Sequence, residues 1–317
     1  MKYFLGMDGG GTKTACLLID ESGKTISTVY GKSISHTQHG VKNVIKTIKE
    51  LILQNCAEAS IEVHSLSGVC IGLPALGEFP DKDVVIVKSI KEISSHVHIT
   101  NDAEVGWAGA LECQPGINVV AGTGSIVFGS DDNGNTMRCS GWSKTYSDEG
   151  SAYWLGMRGM GLFCKQSDGR APKGPLYQIV RKHFGLSKDF DFMTVAESDI
   201  LPYRDKVAAF QKIVAEAGRD GDTAVQLLYS EAAEELCNGA KAVRDGLDFL
   251  NSPVRVSYTG GVFLVGDMIL NPFTELVIGA GMSLTAPSYS PEQGAVLLGV
   301  KSFAPEFYNQ ICGAWLI

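Results

Sequence analysis

The chain has 317 residues, of which 44% are hydrophobic and 37 are glycine, and its formal net charge is −8. This composition is typical of a turn-rich α/β protein with a full apolar core, and it excludes a disordered or fibrous chain. Acidic and basic residues are interspersed without a basic run, so nucleic acid is not an expected partner. No stretch reaches the ~20 apolar residues of a membrane span. The N-terminus also lacks the apolar core of a signal peptide, so we expect a cytoplasmic protein that does not bind membranes.

Two apolar runs, residues 3–7 and 15–19, flank a glycine-rich turn at the start of the chain. Short apolar runs separated by such a turn predict a β-hairpin. Glycine permits a positive φ and has no Cβ, so the backbone N–H groups of the turn can converge on an anion. The turn consists of Asp8, Gly9, Gly10, Gly11, Thr12 and Lys13.

The composition of this turn indicates a polyphosphate site. Mg²⁺ would screen the carboxylate of Asp8 from the phosphates, so Asp8 is the candidate magnesium ligand. A plain hairpin turn is the alternative, although it would need fewer glycines. Neither common nucleotide fingerprint is present, because no G-x-x-x-x-G-K-[ST] occurs and the glycines precede a strand instead of a helix.

The pattern that follows predicts an amphipathic helix at 41–56, after a polar loop at 31–40 that contains Ser35 and His36. Gly77 and Pro80 argue against a helix before residue 84. The strands predicted in this part of the chain lie at 24–30, 67–73, 84–87 and 96–100.

Asn101 and Asp102 stand where the last of these strands ends and a helix of small residues begins. A carboxylate at the carboxyl end of a strand can act as a general base in a cleft. The alternative is that Asp102 only caps the helix, a role worth about 1 kcal/mol.

A second glycine turn repeats the arrangement of the first, since it joins a strand at 117–121 to another at 125–129. It consists of Gly122, Thr123, Gly124 and Ser125. Two such turns predict two similarly built domains that close on one nucleotide.

Residues 140–156 combine aromatic, acidic and glycine residues. The aromatic plane of Trp142 after Gly141, together with the carboxylate of Asp148, is the combination that a sugar site needs. Alternatively this stretch only starts a helix, with Asp148 as its N-cap.

The remainder is mainly helical from 176 to 250, and a strand at 254–258 leads to Gly260 and Gly261, where backbone can approach a planar ligand. The eight cysteines form no C-x-x-C pair and no zinc-site spacing. We expect them to be reduced and structural.

These motifs resemble the N-acetylglucosamine kinase branch of the BadF/BadG/BcrA/BcrD ATPase family, within the actin–hexokinase–chaperone-ATPase superfamily. The resemblance spans nearly the whole chain. It implies an α/β fold of two actin-like, ribonuclease H-like domains with a nucleotide cleft between them. The first domain would comprise 1–113, with the tail 300–317 packed on it, and the second 114–299 with a helical insertion.

The resemblance also implies ATP and Mg²⁺ as cofactors and an amino sugar as substrate. Thr12 and Thr123 would contact the phosphates, with Gly260 and Gly261 beside the adenosine. Asp102 would take the proton of the sugar's 6-hydroxyl. The expected sugar-binding residues are Ser35, His36, Asn101, Asp102, Gly141, Trp142 and Asp148. The resemblance and the long helical region favour a homodimer.

One departure concerns the sugar loop, where the family normally presents an Asn and this chain has Ser35. A serine hydroxyl cannot both donate and accept as an amide does. This leaves open whether N-acetylglucosamine, glucosamine or another hexosamine is the substrate.

Two other functions are compatible with this fold. An activator ATPase of 2-hydroxyacyl-CoA dehydratase or benzoyl-CoA reductase would need an iron–sulfur cluster, but no cysteine ligand motif follows Asp102. A sugar or nucleotide sensor would bind both ligands without turnover. A brown protein would indicate the activator, and ATP turnover that depends on an amino sugar would indicate the kinase.

Overall fold

The computed structural model describes residues 1–315, so the last two residues of the predicted tail, Leu316 and Ile317, lie outside the described residues. The chain divides into two compact units, one formed by Met1–Asn118 with the chain from Ala286 onward and the other by Val119–Thr285. Each unit is built on a five-stranded sheet. None of the described helices combines the length and hydrophobicity needed to cross a bilayer.

The structure describes these α-helices, in chain order: α1 (His36–His39), α2 (Val41–Glu58), α3 (Pro80–Lys91), α4 (Asp102–Ala110), α5 (Ala152–Ser167), α6 (Pro175–Phe184), α7 (Asp191–Val195), α8 (Arg204–Arg219), α9 (Thr223–Gly246), α10 (Asp267–Gly279), α11 (Pro291–Phe303) and α12 (Tyr308–Trp315). A π-helical turn, Ala196–Ile200, follows α7, and short 3-10 turns lie at Val63–Ser65, Phe263–Val265 and Pro305–Phe307. Helices α5 to α10 belong to the second unit and the others to the first.

The sheet of the first unit consists of β1 (Tyr3–Gly9), β2 (Lys13–Asp20), β3 (Thr25–Lys32), β4 (Leu66–Leu73) and β5 (Val97–Asn101). Its strand order is β3-β2-β1-β4-β5. β1 and β2 pair antiparallel, with Gly9 opposite Thr14, which confirms the predicted hairpin. β4 pairs parallel with β1 and with β5. The carboxyl ends of these three strands therefore meet at one edge of the sheet.

Helix α2 covers part of this sheet, and its apolar residues recur at helical spacing, as the sequence predicts. It packs on β2 and β3. The buried residues that α2 contributes to the core are Val44, Ile48, Leu51, Ile52 and Cys56. The C-terminal tail lies on the same unit, where the Trp315 indole N–H donates to the carbonyl of Gly23 over 2.8 Å.

The sheet of the second unit consists of β6 (Gly116–Ala121), β7 (Ser125–Ser130), β8 (Thr136–Cys139), β9 (Val254–Thr259) and β10 (Met282–Leu284). Its order, β10-β9-β6-β7-β8, is that of the first sheet read from the other end, with β6 in the place of β1. Both glycine turns therefore follow the central strand of their sheet. The α/β fold class and the internal repeat predicted from the two turns are confirmed.

The strand predicted at 84–87 is wrong, because these residues lie inside α3. Pro80 occupies the first turn of this helix, where a proline loses no hydrogen bond and its fixed φ favours the helix. Acidic residues in the first turn and lysines in the last favour the same helix through its dipole. The proline starts this helix instead of preventing it.

The predicted assignment of residues 286–299 to the second domain is also wrong, because this segment belongs to the first unit. Helix α11 packs on β1, β4 and α4. The backbone N–H of Tyr289 donates to the carbonyl of Gly109 over 3.0 Å, just before α11 begins.

Glycines allow α11 to approach β1 and α4 with no side chain between them. A Cβ on Gly294 would overlap the backbone of Gly109, and one on Gly109 would overlap the carbonyl of Ser290. A Cβ on Gly6 would overlap the carbonyl of Glu292. These contacts fix the N-terminal end of α11 against β1 and against the C-terminal half of α4.

We expect Gly294→Ala to lower the free energy of unfolding by about 1–3 kcal/mol or more, because backbone on both sides has no room for a methyl group. Gly313→Ala is the matched control, since a Cβ there meets nothing within 4 Å. Thermal and urea denaturation measure the stability of the two variants against the wild type. Equal stability of the two variants would contradict this account of the crossing.

Candidate functional site

The glycine turn of the first unit is closed by the backbone N–H of Gly10, which donates to the carbonyl of Lys13 over 2.9 Å. None of its three glycines has a left-handed φ, so the expectation of a positive φ is wrong here. The missing Cβ is what matters: on Gly9 it would lie 2.5 Å from the carbonyl oxygen of Gly72. Gly11 is exposed and faces open space.

The strand register brings the two predicted acids together at one edge of the first sheet. Asp8 lies opposite Gly72 in the β1–β4 pair, and Leu73 lies opposite Asn101 in the β4–β5 pair. A Cβ on Gly72 would lie only 3.3 Å from the Cα of Asp102. Asp8 and Asp102 are thus neighbours at the carboxyl ends of parallel strands.

The environment of Asp8 strongly disfavours its charge. Burial raises the pKa of Asp8 to about 8, the carboxylates of Asp102 and Glu292 add to this, and Lys13 opposes it. Glu292 was not among the predicted site residues. It lies in the first turn of α11, and the sequence signal that could have found it is the acid that opens this helix of small residues.

This edge of the sheet fits a divalent cation. Three carboxylates lie close together here with one lysine nearby, and oxygen donors are what Mg²⁺ prefers. Residues 1–315 contain no preformed group of three or more His, Cys, Asp or Glu side chains that could hold a metal ion. Mg²⁺ would therefore take few ligands from the protein, as it usually does when it binds with substrate phosphates.

Asn101, and not Asp102, caps helix α4. The side-chain oxygen of Asn101 accepts from the N–H of Ala103 over 2.9 Å, and its amide donates to the carbonyl of Leu76 over 3.2 Å. Asp102 is the first residue of the helix and is half-buried. The alternative of Asp102 as the N-cap is thus wrong, and its carboxylate lies at the positive end of the helix dipole.

Ser35 and His36 are buried, with exposed fractions of 4% and 2%. Their segment lies against the first glycine turn, because the hydroxyl of Ser33 donates to the carbonyl of Gly10 over 2.9 Å. The Ser35 hydroxyl is hydrogen-bonded to that of Thr37 at 2.8 Å. Neither ring nitrogen of His36 has a hydrogen-bond partner among residues 1–315, and burial lowers the pKa of this ring. The structure does not bring these two predicted sugar residues to an open surface.

The second unit gathers its own predicted residues around the turn between β6 and β7. The N–H of Gly122 donates to the carbonyl of Gly124 over 2.9 Å, and the N–H of Ala152 donates to that of Gly122 over 2.9 Å. Gly260 has a φ of 105°, and a Cβ there would overlap the backbone of Ala121. The glycines predicted for the adenosine therefore lie beside those predicted for the phosphates.

Asp148 lies beneath this second turn and is not the cap of a helix. Ser151 caps α5, with its hydroxyl accepting from the N–H of Trp154 over 3.1 Å. The carboxylate of Asp148 accepts from the guanidinium of Arg204 over 2.7 Å. Burial raises the pKa of Asp148, while Arg204 and the backbone N–H of Ser125 act in the opposite direction. Arg204 was missed because it lies far along the chain, in a helix without a recognisable motif.

Trp142 is 77% exposed, so its ring is available as an aromatic plane. Gly141 has a φ of 72°, the left-handed conformation that favours glycine. The loop folds back on itself, since the hydroxyls of Ser140 and Ser147 lie 3.3 Å apart. This contact closes residues 140–147 into a loop that carries Trp142 and leads directly to Asp148.

The cysteines are unpaired, as predicted, and most of them are buried. Cys164 is exposed, so the expectation of buried structural thiols does not hold for that residue.

The sequence profile of the BadF/BadG/BcrA/BcrD ATPase family matches residues 5–299. The chain belongs to this family. Since this is a family of ATPases, the chain uses ATP.

Two curated relatives that resemble this chain in sequence are named as hexosamine kinases. An N-acetylmuramic acid/N-acetylglucosamine kinase of Clostridium acetobutylicum is 30% identical over 83% of this chain and 86% of its own length. An N-acetyl-D-glucosamine kinase of Dictyostelium discoideum is 27% identical over 95% of this chain and 98% of its own.

A solved structure from Chromobacterium violaceum, provisionally described as an N-acetylglucosamine kinase, has the same fold. It superposes with a TM-score of 0.74 at 24% identity, and the match covers 94% of this chain and 99% of that one. This likeness confirms the predicted α/β fold.

The raised pKa of Asp8 makes the stability of this ATPase depend on pH. Between the ordinary pKa of 3.8 and about 8, the folded protein holds a proton that the unfolded chain has released. The free energy of unfolding therefore falls as the pH rises through this range. We expect Asp8→Asn to raise the Tm by several degrees at pH 8 and much less at about pH 5.

The measurement is thermal denaturation in EDTA across this pH range. Glu50→Gln, an exposed change on α2 of the same unit, is the control and should follow the wild type at every pH. A constant difference between Asp8→Asn and the wild type would rule out a buried proton on Asp8.

Proposed function

We propose that this chain is an ATP-dependent hexosamine kinase that phosphorylates the 6-hydroxyl of N-acetylglucosamine or glucosamine. The observation that carries the proposal is the pair of neighbouring carboxylates, Asp8 and Asp102, at the carboxyl edge of the first sheet beside a glycine turn. The hexosamine kinase names of the curated relatives support the substrate class.

Each unit by itself presents groups that suit a nucleotide. Backbone N–H groups of the two glycine turns suit phosphate oxygens, because each turn presents amides without side chains in the way. The cation of Lys13 and the hydroxyls of Thr12 and Thr123 add to these amides. The open space at Gly261 suits the flat adenosine, and Gly260 lies against the backbone of Ala121 beside it.

Mg²⁺ would be held near Asp8, with Asp102 and Glu292 adding negative charge around it. When bound, the ion supplies neutralisation of the charge that develops on the transferring phosphoryl group. The proton that Asp8 carries without metal would leave as the ion binds.

Asp102 would act as the general base. The oxygen of the sugar's 6-hydroxyl attacks the γ-phosphorus in line, the bond from that phosphorus to the bridging β–γ oxygen breaks, and the hydroxyl proton passes to the carboxylate of Asp102. The N-cap bond of Asn101 fixes the start of α4 and so orients Asp102. The products are ADP and a sugar 6-phosphate.

The sugar ring would lie on Trp142, with Gly141 and Asp148 around its 2-substituent and Asn101 beside the reacting end. An exposed indole and a partly neutralised carboxylate support this assignment. Ser35 and His36 would act only after the local segment shifts, because both are buried.

The decisive test is ADP release from the purified protein with Mg²⁺-ATP against N-acetylglucosamine, glucosamine, N-acetylmannosamine, glucose and no sugar. We expect turnover to depend on a hexosamine and Asp102→Asn to lower kcat by about 10²–10⁴-fold, since a positioned base contributes that much. Turnover without sugar, or turnover that survives the substitution, would contradict the kinase mechanism. Binding of ATP and sugar without turnover would indicate a sensor, and a brown protein the activator.

Two glycines test the nucleotide contacts without disturbing the fold. The Cβ of an alanine at Gly261 meets nothing within 4 Å, and at Gly11 it meets only the Gln38 amide at 4.0 Å. We expect either substitution to weaken ATP binding about tenfold, a change of ~1.4 kcal/mol, because the methyl group enters the space of the ligand.

Isothermal titration with a non-hydrolysable ATP analogue measures this effect, with Gly313→Ala as the control of unchanged affinity. If both glycine variants bound the ATP analogue as tightly as the wild type, these glycines would not lie in the nucleotide site.

The cytoplasmic location and the homodimer stay predictions. The homodimer rests on the family resemblance and on the helical region of the second unit, α5 to α10. Analytical ultracentrifugation distinguishes a dimer from a monomer.

A further inference from the structure

Arg204 occupies an unfavourable place for a cation, the first residue of the 16-residue helix α8. The positive end of a helix dipole repels a guanidinium there. The ion pair with Asp148 offsets this repulsion, and the two side chains join residues that lie 56 positions apart in the chain.

The guanidinium of Arg204 covers the carboxylate of Asp148. The side chain of Asp148 is 5% exposed and that of Arg204 36%, so a ligand that approaches the pair meets the arginine first. The pair also lies directly against the second glycine turn. A Cβ on Gly124 would lie 2.6 Å from Nη2 of Arg204 and 2.8 Å from Oδ2 of Asp148.

Arg204 has hydrogen-bonding capacity that the protein does not use. Its Nε is buried and has no partner among the described residues, whereas buried donors are nearly always satisfied. A guanidinium only donates, so the group that completes it is an acceptor, such as a carbonyl or hydroxyl oxygen.

We propose that Arg204 makes this kinase select N-acetylated hexosamines over those with a free, protonated amino group. The inference rests on the proposed function and on Asp148 lying at the sugar's 2-substituent. An acetamide brings a carbonyl oxygen that accepts from Arg204 and no charge. An ammonium group brings a second cation to a carboxylate that is already paired, and the two cations repel each other.

Glu149 is the other acid that acts on Asp148, and its charge raises the pKa of Asp148. Its backbone carbonyl accepts from the Ser125 hydroxyl over 2.7 Å. Glu149 also lines a cavity of about 320 Å³ with Glu235, Asn238 and Ser125 of the second glycine turn.

The test is the ratio of kcat/KM for N-acetylglucosamine to kcat/KM for glucosamine. We expect Arg204→Gln to lower this ratio at least tenfold, because the substrate's own ammonium then pairs with Asp148. Asp148→Asn should raise the ratio, because the arginine loses its partner and repels the ammonium more strongly. A pair with only a structural role would lower both activities together and leave the ratio unchanged in both variants.

Two further variants complete the experiment. Arg204→Lys keeps the cation but loses the guanidinium donors, so it should lower the ratio by less than tenfold, which tests the inference even if Arg204→Gln does not fold. Arg170→Gln removes an exposed arginine that pairs with Asp168 over 2.8 Å in the same unit, and it is the control of unchanged ratio.

An unchanged ratio in Arg204→Gln, or a higher KM for ATP as its sole effect, would overturn the role of Arg204 while the kinase assignment stands. Wild-type preference for glucosamine would overturn it as well. Absence of turnover with every hexosamine would instead overturn the proposed function itself.

Discussion

The acidic edge of the first sheet depends on one packing contact. Helix α11 approaches β1 and α4 with no side chains between them. Gly6, Gly109 and Gly294 leave room for backbone against backbone where α11 crosses β1 and α4. The crossing fixes the start of α11 against β1, and Gly72 of β4 leaves room for the start of α4 at the same edge of the sheet. Asp102 and Glu292 therefore lie close enough to Asp8 to raise its pKa.

The consequence of this packing is that three carboxylates, those of Asp8, Asp102 and Glu292, lie close together. Burial and two neighbouring carboxylates keep a proton on Asp8 at neutral pH. Such a site costs stability in the absence of a cation and gains it when one binds. In the proposed mechanism, the nucleotide would bring both a polyphosphate and its cation to this acidic edge. The cation would then lower the repulsion between the carboxylates and the phosphates.

The buried acid of the second unit, Asp148, is instead paired with a cation of the protein itself, Arg204. Its carboxylate also accepts from the backbone N–H of Ser125. The ion pair and the turn thus support each other, and Gly124 is the residue that lets them touch. Because the carboxylate is already neutralised, the charge of an incoming ligand matters at this site.

The sequence by itself determined the elements that depend on local pattern. The hairpin of β1 and β2, the amphipathic α2 and the repeated strand–turn–strand unit follow from residue spacing, since the backbone responds to neighbours a few positions away. The same reasoning singled out Asp8, Asp102 and Asp148, because a carboxylate beside glycines at a strand end is visible as a motif.

Tertiary structure alone decided the partners of those residues. Pro80 starts a helix where its neighbours resembled a strand, and residues 286–299 join the first unit through packing that no local pattern records. Glu292 and Arg204 reach Asp8 and Asp148 from segments far away in the chain. The pKa of a buried acid and the charge of a pocket depend on such long-range neighbours. They therefore follow from the folded structure and not from the local residue pattern.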